Sequence, residues 1–193
     1  MWKRKHEFKP DRTDSGTLSK LYITKKQRLR LLRWFLFALC LVVLSLVQDV
    51  AMCRIRLFGA TTDLVSGGIL LICMLISVDE SAVFSLCAAT IYYFTGFAAG
   101  PHAILLLTAL GTLFNIFRHS YLRKSLVSTI LCAGLALMVY ELAIFLVALF
   151  LEFTTFSRIG YVCLSGLVTC LLMPLQYPVY VSVSKIGGES WKE

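Results

Sequence analysis

The sequence predicts an all-α integral membrane protein: a six-helix transmembrane bundle with both ends of the chain on the cytoplasmic side. Three observations carry this reading. Of the 193 residues 58% are hydrophobic and only 16% charged, with a mean hydropathy of +0.78. A soluble domain carries about 25% charged residues. Apolar runs of spanning length, about 20 residues, follow one another from Leu31 to Val183 with only short polar gaps. The net charge of +8 is also concentrated in front of the first of these runs.

That basic tail, residues 1–30, holds Lys3, Arg4, Lys5, Lys9, Arg12, Lys20, Lys25, Lys26, Arg28 and Arg30, with Arg33 just beyond it. A basic segment beside a membrane helix sets orientation and touches anionic lipid heads, and it lacks base-reading chemistry of its own. The part "LYITKKQRLRLLRW" is amphipathic and suits a helix that begins at the membrane surface. The apolar stretch Leu36–Val47 leads into Gln48-Asp49 with no small-residue cleavage site, so it reads as a retained first helix.

The first crossing is expected over 31–50 and the second over 60–78, with "CRIRLFG" between them and Asp79-Glu80 after the second. The run from Ser81 to Phe117 is too long for one crossing. As a single helix it would extend about 55 Å against a hydrocarbon core of about 30 Å. Gly96, Gly100 and Pro101 in "TGFAAGPHAILLL" supply the turn, because glycine accepts turn geometry and proline at a helix start forfeits no needed N–H. Crossings three and four are therefore expected over 81–97 and 101–117. "GFAAG" also matches the G-x-x-x-G helix-contact pattern, but Pro101 follows at once, so a turn is at least as good a reading.

The fifth crossing is expected over 126–150 and the sixth over 159–183, with Pro174 and Pro178 placed to bend its second half. The membrane domain spans 31–188, and 189–193 form a short tail. With the first residues inside, only Arg54, Arg56 and Arg158 of the 19 basic residues fall outside. That bias favours both ends facing the cytoplasm.

Few residues suggest chemistry. Glu141 lies in the middle of an apolar segment, where an acid costs about 2.5–3.5 kcal/mol on insertion scales. Two readings stay open: a proton or cation site, or a polar contact with a neighbouring helix. The second is favoured because a relay needs more acids at depth. Asn115, Gln48 and Asp49 are its candidate partners. Asp63 suits a helix cap or an interface position, and Asp79-Glu80 suit the inner surface and a cap for a helix starting at Ser81. The seven cysteines form no C-x-x-C pair and mostly lie in apolar runs, where cysteine behaves as a small hydrophobe; Cys53 is the one expected near water. His102 has no neighbouring ligands for a metal. Tyr92, Tyr93, Phe94 and Phe97 suit an aromatic belt at the outer surface. No nucleophile, zinc or phosphate-loop motif is present, so no cofactor and no catalysis is expected.

The order of parts is similar to a known family. A basic start, an isolated first helix, "TDLVSGGILLICMLIS", the "TGFAAGPHAILL" turn, a basic loop and a closing "LLMPLQYPVYVSVSKIGG" together resemble the bacterial rod shape-determining MreD family over Leu31 to Gly188. Asp63-Leu64 match the family's aspartate at the entry to helix two. Gly96, Gly100 and Ala103-Ile104 match its glycine passage into helix four, and Pro174-Leu175 its proline-leucine in the last helix. Tyr92-Tyr93 stand where many members carry an acid.

The resemblance implies a small six-helix fold in the bacterial plasma membrane, similar in helix packing to the substrate-binding subunits of energy-coupling-factor vitamin transporters. It implies a non-enzymatic scaffold of the cell-elongation complex, with MreC, MreB, RodA and a cell-wall transpeptidase as partners. Asp63, Gly96, Gly100, Pro101, Asn115, Glu141 and Pro174 are then candidate helix-packing or partner-binding residues. The rival reading is the vitamin-binding subunit itself, with Tyr92, Tyr93, Phe97, His102 and Glu141 lining a cavity. The very short outer loops speak against it. An integral membrane enzyme ranks last, for want of an acid or histidine cluster.

Overall fold

The computed structural model describes residues 25–52, 62–96, 98–122 and 125–186, and helix is the only regular structure among them. Arg54, Arg56, Cys53, Phe97, Arg123 and Lys124, the tail before residue 25 and the end from 187 onward lie outside the described residues. In chain order the helices are α1 (Lys25–Val47), α2 (Leu64–Leu75), α3 (Val78–Phe94), α4 (His102–Tyr121), α5 (Leu126–Phe150) and α6 (Ile159–Ser184). A π-helical turn, Gln48–Met52, continues α1, and a 3₁₀ turn, Phe156–Arg158, precedes α6. Among the described residues, four segments are long and apolar enough to cross a membrane: Gln27–Val50, His102–Tyr121, Leu126–Phe150 and Phe156–Ser184.

The second apolar run departs from the expected 60–78. Its helix has only 12 residues, about 18 Å at 1.5 Å per residue, well short of the hydrocarbon core. The start is set by Asp63, whose Oδ1 accepts from the Ser66 N–H as an N-cap. The end is set by Ile76, which takes an extended conformation. Every residue of α2 is buried, and α2 packs on each of the other five helices. An all-round apolar helix is a core helix, and here it is the axis around which the others stand.

The helix after it also starts earlier than expected. α3 begins at Val78 with Ser77 in the N-cap position, so Asp79 and Glu80 lie inside its first turn, where the helix dipole favours acids. Glu80 bridges to α1, accepting from Arg33 and lying 3.4 Å from Arg30 Nε. The second and third turns of α1 and the first turn of α3 therefore lie side by side. α1 itself starts at Lys25, inside the segment assigned above to the basic tail.

The α3–α4 turn lies where the glycines and proline place it. Gly96 has φ +80°, in the left-handed region that glycine accepts without strain, and Pro101 immediately precedes α4. The G-x-x-x-G pattern is thus a turn and not a helix-contact face. α4 then runs four residues past the expected Phe117, taking Arg118 into the helix. α6 is continuous through Pro174 and Pro178.

Outward-facing positions are strongly apolar. Leu31, Phe35, Val42 and Leu46 on α1 are each at least half exposed, while Phe37 on the opposite face is buried among Trp34, Phe84 and the core. An apolar exterior around an apolar interior is the pattern of a body whose solvent is lipid.

Candidate functional site

The short central helix leaves unpaired backbone groups at both ends, deep inside an apolar bundle. The first N–H groups and last C=O groups of any helix lack partners within it, and each costs free energy if buried alone. The polar side chains of the interior gather at these two ends.

At the N-terminal end of α2, Asp63 is the hub. Its carboxylate accepts from the Ser66 N–H at 3.2 Å, from Gln48 Nε2 at 3.4 Å and from the Tyr92 hydroxyl. Its own N–H donates to Thr169 Oγ1 at 3.2 Å, and its carbonyl accepts from Ser66 Oγ. Gln48 is double-ended, since its Oε1 accepts from the Val65 N–H at 3.0 Å. Four other segments are thereby tied to α2's first turn: the π-helical turn by Gln48, α3 by Tyr92, α6 by Thr169, and α5 by Tyr140, whose hydroxyl lies beside that of Tyr92. Charge matches backbone here too, because a helix N-terminus favours an anion.

Glu141 follows Tyr140 on α5. Its side chain lies against Gly166 of α6, where a Cβ would sit 3.7 Å from Glu141 Cγ, and it lies within electrostatic range of Asp63. Gly166 and Thr169 are one turn apart on α6, so that one helix touches both Glu141 and the backbone of Asp63. The expected partners of Glu141 are engaged elsewhere or face outward. Gln48 bonds Asp63 and Val65, Asp49 is exposed, and Asn115 belongs to the other end of α2.

At the C-terminal end of α2, Asn115 Nδ2 donates to the Ile76 carbonyl at 3.3 Å, and the Arg118 guanidinium donates to the Met74 carbonyl. Asn115 is fully buried and Arg118 is 3% exposed. Arg118, the first residue beyond the expected fourth crossing and so expected in the basic loop that follows it, is instead a buried residue of α4. It lies one turn from Asn115 on α4, and the two hold the carbonyl end of α2 from the same helix face.

Glycines allow the helices to meet this closely. A Cβ on Gly68 of α2 would lie 2.8 Å from Leu44 of α1 and 2.8 Å from the Tyr180 hydroxyl of α6, and one on Gly67 would lie 3.1 Å from Thr169. Met173, buried against Gly67, is the residue before Pro174, which is itself exposed on α6. Of the residues selected from sequence, Asp63 and Glu141 lie within electrostatic range of each other, Asn115 serves the opposite end, and Gly96, Gly100 and Pro101 form the α3–α4 turn. His102 packs its ring on Gly100.

Sequence reading missed Gln48 as an Asp63 ligand, Tyr92 as a buried donor, Tyr140, Thr169 and the inward Arg118. Two of these had a usable signal: Arg118 three positions after Asn115, and Tyr140 adjoining an acid in the middle of an apolar segment. Comparison with protein-family models, curated proteins and solved structures gave no match.

Proposed function

We propose that this chain is a non-enzymatic membrane scaffold of the MreD kind, working in the complex that builds the lateral cell wall. It would sit in a bacterial plasma membrane with both ends in the cytoplasm. α2, with its extended flanks, and α3 would complete six crossings beside the four long segments. Its outer helix faces would receive the membrane helix of MreC and, with it, the synthase RodA and a transpeptidase, next to the MreB filament.

One observation carries this reading. The deep polar side chains Gln48, Asp63, Tyr92, Asn115 and Arg118 are engaged in holding the two ends of a central helix. That use makes a stiff frame with a broad apolar outside, which is what helix-to-helix recognition in lipid requires. The sequence pattern around Asp63-Leu64, Gly96, Gly100 and Pro174-Leu175 supplies the family direction.

The test is a paired-cysteine crosslinking scan between exposed positions of α1, α3 and α5 and the membrane helix of MreC in cells. The scaffold reading expects crosslinks confined to one or two helix faces. No crosslink from any face contradicts it. The vitamin-binding subunit is kept as a second reading because Tyr92, Tyr140 and Glu141 converge. A vitamin co-purifying at one per chain would select it.

A further inference from the structure

We propose that the junction of α1 and α3 holds one anionic phospholipid, with its headgroup phosphate on Arg30 and Arg33 and an acyl chain in the seam between the two helices. The first observation is charge. Arg30 and Arg33 both turn to a single carboxylate, that of Glu80. Two guanidinium groups against one acid leave a positive charge uncompensated. Asp79, exposed in the same turn of α3, pairs with neither arginine. The sequence adds Lys25, Lys26 and Arg28 to this stretch of α1, and no acid occurs from Lys25 to Gln48.

The second observation is unmet donor capacity. The Arg33 Nε–H is buried and has no hydrogen-bond partner among the described residues, although the same guanidinium donates to Glu80 through its Nη2. A buried donor without an acceptor calls for one, and an anion beside Glu80 supplies it. Arg30 approaches Glu80 through Nε, at 3.4 Å, while 66% of its side chain stays exposed. A guanidinium presents a planar fork of donors that matches phosphate oxygens.

The third observation is the seam itself. Trp34 and Phe37 of α1 close on Phe84 of α3, with ring centroids 5.8 and 5.9 Å apart. Cys87 and Ile91 lie one and two turns farther along the same face of α3, and both are exposed. α1 has therefore left α3 at that level. It crosses to α2 and α6, where Leu44 lies against Gly68, beside the Tyr180 hydroxyl. The two helices touch next to the arginines and then part, which leaves an apolar wedge open to lipid. Trp34 directly follows Arg33, at the level where an indole settles between headgroups and tails. A basic cradle at the head of an apolar wedge fits a phospholipid, and charge complementarity selects an anionic one. This inference requires only that the chain spans a membrane. It does not depend on the scaffold reading, since MreC crosslinking and lipid binding are read out separately.

The test uses the full chain carrying Trp2→Phe and Trp191→Phe, which leaves Trp34 as the sole indole, in phosphatidylcholine bilayers titrated with brominated phosphatidylglycerol. Bromine on an acyl chain quenches an indole that it touches. Quenching of Trp34 is expected to saturate at a low mole fraction of phosphatidylglycerol, with a several-fold preference over brominated phosphatidylcholine. Arg30→Gln, at an exposed position, is expected to remove most of that preference, and Cys87→Phe, which fills the wedge, to weaken it. Replacing Lys3, Arg4, Lys5 and Lys9 of the tail together by glutamine is expected to leave it standing. The proposal is overturned if the two brominated lipids quench alike, or if Arg30→Gln keeps the full preference. It is equally overturned if the tail substitutions abolish the preference, which would leave only diffuse attraction to the membrane surface. Full competition by glycerol phosphate, which has no acyl chain, would also overturn it.

Discussion

The Tyr92 hydroxyl donates to the Asp63 carboxylate across 29 positions of sequence, joining the last turn of α3 to the first turn of α2 inside the bundle. A hydrogen bond to a charged group is worth about 1.5–3 kcal/mol, and leaving the partner buried and unsatisfied carries the larger cost. Tyr92→Phe should therefore lower stability by about that amount. At about 2–4 °C per kcal/mol for a chain of this size, the melting midpoint of the detergent-solubilised protein should fall by roughly 3–12 °C. Asp63→Ala, which also removes the N-cap, should cost more.

The carbonyl end of α2 gives a parallel expectation. Arg118→Ala removes the donor to Met74 and should destabilise by about 1.5–3 kcal/mol. Arg118→Lys should not restore it, because a lysine lacks the planar fork of donors. Cysteines placed singly at 118 and 119 should differ sharply in labelling by a water-soluble maleimide, with 119 reactive and 118 protected, since Arg118 is buried and His119 exposed.

Much of the helix plan was legible in the sequence, and the exceptions share one cause. Apolar run length marked where helices stand, and Gly96 with Pro101 marked the turn, because those signals are local. The end of α2 was not legible. Residues 64 to 78 are almost continuously apolar, and the break at Ile76 is fixed by Asn115 and Arg118, about forty residues away. Arg118 read as a loop residue because charge usually means water. Only the packed fold shows that its guanidinium has a carbonyl waiting. Tyr92 read as part of an aromatic belt for the same reason, since nothing near it in sequence names Asp63 as its acceptor.

Glycine substitutions separate close packing from helix propensity. Gly68→Ala places a methyl 2.8 Å from both Leu44 and Tyr180 and should cost about 1–3 kcal/mol through overpacking. Gly160→Ala meets nothing within 4 Å and should be neutral or stabilising by about 0.5–1 kcal/mol. Melting midpoints of the two variants side by side check this.

The α1–α3 bridge predicts unequal arginines. Arg33, with a side chain 11% exposed, should matter more than Arg30, at 66%. Arg33→Ala should cost about 1.5–3 kcal/mol, and Arg30→Ala no more than about 1 kcal/mol. High salt should blunt the second and spare most of the first.

The account rests on α2 as a short helix sealed from lipid and water and held at both ends. Spin labels placed one at a time from 62 to 77 and read by power saturation with oxygen and with a water-soluble nickel relaxant test this most directly. The predicted result is low accessibility to both reagents at every position from 64 to 75, with no helical periodicity, while α1 shows oxygen peaks every three to four residues. An oxygen-accessible stripe recurring along α2 would put one of its faces in the lipid and contradict the account.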